Sequence, residues 1–151
     1  MKGINLTRVL VGGLAAGVLL NVTEFVLWGV LLQDTYQSVM ATHAMAQTGW
    51  AMAAYVIVTF VIGLALAFTY AAFRPRFGAG WQTAVAAAAV IWVVGSVIPM
   101  IGNAAVGIGM GAGASLLALA WGAVELALAS VMAGWLYREQ EVQAAAAARA
   151  Y

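Results

Sequence analysis

The chain has 151 residues, of which 66% are hydrophobic and only 7% charged, against roughly 45–50% and about 25% in soluble globular proteins. So few charges cannot cover a soluble surface, which excludes a water-soluble fold and makes lipid the surroundings of most of the chain. The absence of cysteine excludes disulfides, thiol redox motifs and thiolate metal sites, and a net charge of +1 gives no basic footprint for nucleic acid.

The first apolar run extends from about Arg8 to Leu32. Lys2 and Arg8 ahead of it suit the start of a signal peptide, but the run outlasts the roughly 7–15 apolar residues of a signal core. At about 1.5 Å per residue it reaches roughly 37 Å, enough to cross a bilayer core of ~30 Å with some tilt. Gln33 to Gly49 is the one sizeable polar connection. Within it Tyr36, Met40, His43 and Gln47 recur at helical spacing, which predicts a short helix on the membrane surface. The second span runs from Trp50 to about Phe73, with Trp50, Tyr70 and Phe73 placed as an aromatic belt. Arg74-Pro75-Arg76-Phe77-Gly78-Ala79-Gly80 predicts a tight turn, since proline does not continue a helix and the glycines permit a reversal. The third span runs from Trp81 to about Ala105, its end blurred by a glycine-rich, uncharged connection through Gly107 and Gly113. The fourth covers about Ala114 to Tyr137, and the tail 138–151, with its run of alanines, is expected to prolong it as a helix.

These elements predict an all-α membrane protein: one domain over 1–151, with four spans in an antiparallel bundle. The basic residues set its orientation. Lys2, Arg8, Arg74, Arg76, Arg138 and Arg149 are every Lys and Arg in the chain. With four spans all of them fall on the same side, so the positive-inside rule places both termini in the cytoplasm.

Each span carries small and polar residues at helical spacing. They are Gly13, Gly17, Asn21 and Glu24 in the first, Tyr55, Thr59 and Gly63 in the second, Ser96, Pro99 and Asn103 in the third, and Gly122 with Glu125 in the fourth. Small residues four apart let helix backbones approach, and polar side chains then bond across the contact. Pro99 removes a backbone hydrogen bond and predicts a kink. The candidate intramembrane polar site is therefore Asn21, Glu24, Glu125, Ser96, Asn103, Tyr55 and Thr59. An ionisable group at mid-membrane costs about 2.5–3.5 kcal/mol even on insertion scales, so Glu24 and Glu125 demand an explanation. Counted inward from the outer ends of their spans, Asn21 lies roughly 16 Å deep, Glu24 roughly 12 Å and Glu125 roughly 18 Å. This predicts that Asn21 and Glu125 meet. Apart from Arg8 at the very start of the first, no Lys, Arg or His lies within any span. Three readings stay open: neutral glutamates bonded to Asn21, to the Trp28 or Trp121 indole or to a backbone carbonyl; a proton or cation site; and a site for a ligand with a basic group. Ser130 is the only polar residue between Glu125 and the basic end of the fourth span, which leaves a thin path for protons.

Other chemistry finds little support. Met40, His43 and Met45 offer copper-type donors without further ligands. Asp34 and His43 have no Ser or Cys nucleophile arranged with them. The G-x-G pattern near Gly107 follows no strand and has no basic residue nearby, so phosphate binding is not indicated. No metal, cofactor or catalytic motif is expected.

Four segments carry a resemblance: Asn21-x-x-Glu24-Phe25; Arg74-Pro75-Arg76-Phe77-Gly78-x-Gly80; Trp92 with Pro99; and Trp121-Gly122-x-x-Glu125 running to Gly134-Trp135-Leu136-Tyr137-Arg138-Glu139. Together they resemble a family of uncharacterised small bacterial four-helix membrane proteins. The resemblance implies a protein of the bacterial inner membrane and brings no activity with it. The function expected is that of a non-catalytic accessory or packing protein in the lipid bilayer, as a homo-oligomer or beside a membrane protein partner. The alternative is a small proton, cation or solute transporter using Asn21, Glu24 and Glu125.

Overall fold

Four helices long and apolar enough to span a membrane carry the fold: Leu6–Leu31, Gly49–Phe77, Trp81–Ala105 and Ala112–Leu136. The computed structural model describes residues 4–43 and 48–137, and among these every regular element is helical. The tail 138–151, expected to extend the last helix, lies outside the described residues, as do Gln47 and Met45.

Helix α1 (Leu6–Val26) starts at Asn5, whose side-chain oxygen accepts the Arg8 backbone N–H at 3.1 Å. It passes into a single π turn, Leu27–Leu31, closed by the Leu32 N–H on the Leu27 carbonyl at 2.7 Å. The short helix expected within the Gln33–Gly49 connection is α2 (Gln33–Thr42), which has no buried residue. It leans back on the first span where the Tyr36 and Trp28 rings lie 6.2 Å apart.

Helix α3 (Gly49–Phe77) is capped by Thr48, whose hydroxyl accepts the Ala51 N–H at 3.2 Å. The sequence places a turn at Arg74–Gly80 with the span ending at Phe73; the structure corrects this. Pro75 sits inside the last turn and the helix continues to Phe77. There the proline costs one bond, to the Ala71 carbonyl, while the Gly78 N–H still closes on Arg74 at 2.9 Å. The reversal belongs to Gly78 and Gly80, at φ 84° and 146°, conformations that favour glycine. Thr83 donates to the Gly78 carbonyl at 2.8 Å, and the Tyr70 hydroxyl accepts the Gly80 N–H at 3.3 Å.

The third span is α4 (Trp81–Trp92), a π turn (Val93–Val97) and α5 (Ile98–Ala105). Pro99 has no N–H to give the Gly95 carbonyl, and the Ile98 N–H reaches back to Val93. The kink expected at Pro99 thus takes the form of a π turn just before it. Helix α6 (Ala112–Leu136) follows a connection that turns at Gly107 and Gly111, both at φ 81°.

Helices α1 and α4 each pack on both α3 and α6, and α3 meets α6 across the bundle. Apolar burial gives little drive within lipid, so close van der Waals packing must hold the helices together. It is closest where the sequence carries small residues. The backbone of α3 at Gly63 lies in the notch of Gly13 and Gly17; a Cβ there would stand 2.6 Å from the Gly17 nitrogen. On the other side of α1, Gly12 faces the Ala133 backbone of α6. Leu20, Leu66, Ala16 and Ala129 fill the centre. At the basic end, the Tyr137 hydroxyl accepts the Asn5 N–H at 3.0 Å, and the Arg74 guanidinium lies 5.7 Å over the Tyr137 ring. Packing is tight toward this end. The opposite end is looser, with α5 burying no residue at all.

Candidate polar site within the membrane

Thr23, Glu24 and Glu125 converge between α1 and α6, about half-way along the latter. Glu125 is 4% exposed; Thr23 and Glu24 are half-buried. The Thr23 hydroxyl donates to Glu125 Oε2 and also lies 3.1 Å from its own helix's Leu19 and Leu20 carbonyls. The Glu24 carboxyl and the Trp121 indole both lie beside Glu125. That indole nitrogen is buried with no hydrogen bond of good geometry.

The expected pairing of Asn21 with Glu125 is not what the structure shows. Asn21 Nδ2 donates to the Gly17 carbonyl at 2.8 Å, within its own helix. Its place is taken by Thr23, which lies on the α6 side of α1 with Gly12, three turns earlier. That eleven-residue spacing was the available signal. Threonine is easily passed over in a helix because it so often bonds its own backbone, as Thr23 also does.

The remaining candidates do not all join the cluster. Ser96 comes near it from the third span: a Cβ on Gly122 would lie 3.7 Å from Ser96 Oγ and 3.6 Å from the Trp92 ring. Trp92 anchors α4 to α6 by donating its indole N–H to the Leu119 carbonyl at 3.0 Å. Thr59 donates to Val56 of its own helix at 2.8 Å. Tyr55 is 61% exposed, and Asn103 is exposed near the outer end of α5, so neither turns into the bundle. Both lie in the loosely packed half of the bundle.

Toward the basic end, Ser130 is fully buried and donates to the Ala84 carbonyl at 2.7 Å. Its hydroxyl ties α6 to α4 among alanines and leucines. Among the described residues, no group of three or more His, Asp or Glu side chains gathers to hold a metal ion. Asp34 on α2 and His43 just after it are both exposed. No family model matches the chain, and no curated protein or solved structure matches it.

Proposed function

We propose that this is a non-catalytic accessory protein of a bacterial inner membrane, with both termini in the cytoplasm, that works by packing against another membrane helix. The observation that carries this reading is a contrast among the glycines. Gly12, Gly13, Gly17, Gly63 and Gly134 are each filled by a neighbouring helix, whereas Gly95 and Gly102 on the third span have nothing within 4 Å of a would-be Cβ. In membranes, small residues on a helix face let a second backbone approach. The third span presents such a face to the outside, and the partner of first choice is a second copy of the chain. Labelled copies reconstituted at low density test this by energy transfer. Association is expected in the unmodified protein and is expected to weaken about tenfold, or about 1.4 kcal/mol, in Gly102→Leu and Gly95→Leu. Because both positions are open, these variants should keep the folding stability of the parent. Association that is absent, or indifferent to both substitutions, refutes the reading.

A second reading, passage of protons or small cations, is favoured by one observation: two carboxyls meet inside the bundle without a basic partner. Against it, Asn21 is turned onto its own helix and Ser130 is engaged by Ala84, so the basic half offers no polar continuation. Flux into liposomes decides. If protons or cations pass, Glu125→Gln and Glu24→Gln should each abolish passage. If the unmodified protein passes none, the transport reading falls.

A further inference from the structure

We infer that α5 is a hinged lid over the outer side of the carboxyl pair, turning about the π turn Val93–Val97 with Met100 as its latch. This goes beyond the packing reading and does not depend on it. On the inner side of the turn the third span is fixed, with the Trp92 indole bonded to α6 and with Ala84, Ala87 and Ala88 buried. On the outer side almost nothing holds it. Ile98 is 57% and Ile101 64% exposed, and among the described residues no hydrogen bond ties α5 to another helix. Segments with few buried contacts occupy the low end of local stability.

The joint between these two parts is built to bend. Pro99 withholds one backbone hydrogen bond, and the π turn relaxes the helical ladder. The seat of the lid is defined as well. Met100 packs, half-buried, on a small cluster of Leu27, Leu32 and Ala118, together with Trp28, Met110 and Trp121. Leu27 opens the other π turn, in the first span. Trp121 belongs both to this cluster and to the surroundings of Glu125, which lies one turn deeper on α6. Lifting Met100 therefore uncovers the side chains that separate Glu24 and Glu125 from the outer surface. An unbranched thioether suits a contact that must form and release, because it fills irregular gaps without demanding one geometry.

The absence of cysteine makes the test direct. Spin labels are placed at Gln37→Cys on α2 and Asn103→Cys on α5, both exposed positions, in nanodiscs holding one copy each so that self-association plays no part. The inter-label distance distribution is expected to contain two populations. Met100→Ala should enlarge the more distant one several-fold, and Pro99→Ala should narrow the distribution toward one population. A single narrow distribution that neither substitution alters overturns the lid. Retained helix content and monodispersity of each variant separate this outcome from misfolding.

Discussion

Replacing Gly63 with alanine is expected to lower the stability of the folded protein by about 1–3 kcal/mol, the usual cost of overpacking. The added methyl group would meet the Gly13 carbonyl oxygen and the Gly17 nitrogen, with the Gly17 Cα at 3.0 Å. These are backbone atoms on a facing helix, so no side chain can swing aside and α1 must move bodily away from α3. Reversible unfolding in mixed micelles, or steric trapping in bicelles, measures the effect. The control is Gly95→Ala, where the methyl group meets nothing within 4 Å; it should leave global stability within about 0.5 kcal/mol. If Gly63→Ala is equally silent, the glycine crossing does not set the α1–α3 separation.

A double-mutant cycle on the carboxyls is expected to show a large non-additive term. Glu125→Leu should cost about 1–3 kcal/mol because it leaves polar neighbours against an apolar side chain. The neighbour that loses most is the Glu24 carboxyl, which lies beside Glu125. Thr23 suffers less, since the Leu19 and Leu20 carbonyls remain within 3.1 Å of its hydroxyl. Adding Glu24→Leu should recover most of the loss, as an apolar pair replaces a polar one in an apolar setting. Glu125→Gln should change stability by only about 1 kcal/mol, the scale of hydrogen bonds between membrane helices. Stability measured for the singles and the double gives the coupling energy. Additive losses would mean that the two carboxyls do not act on each other.

The fold was readable in this sequence because lipid imposes simple rules. Runs long enough to cross a bilayer, and basic residues confined to alternate connections, leave one arrangement of spans. Glycine spacing marked Gly13, Gly17 and Gly63 as positions of close helix approach, but not that they meet one another, which the structure shows at the α1–α3 crossing. The site was less readable. Glu24 and Glu125 drew notice through the cost of burying a carboxyl, but depth alone could not choose Asn21 or Thr23 as the neighbour. Two residues apart on α1, they point in directions about 160° apart by helix geometry, and no local pattern says which side α6 occupies. Pro75 illustrates another limit. Its chemistry forbids one hydrogen bond, yet in a last turn that loss is small enough for the helix to run on to Phe77.

The π turn at Leu27–Leu31 also bears on how long the chain needs to be. Its closing bond spans five residues where an α-turn spans four, so the first span holds one residue more than a regular helix of the same register requires. Elsewhere in α1, removing a residue would swing everything beyond it by about 100° and turn Thr23 away from Glu125. Within Leu27–Leu31 the helix can absorb the same loss by closing to an α-turn, with Thr23 and Glu24 undisturbed on its inner side and Leu32 kept on the face that meets Met100. The turn beside the carboxyls is thus a place where the chain can shorten by one residue without losing the site.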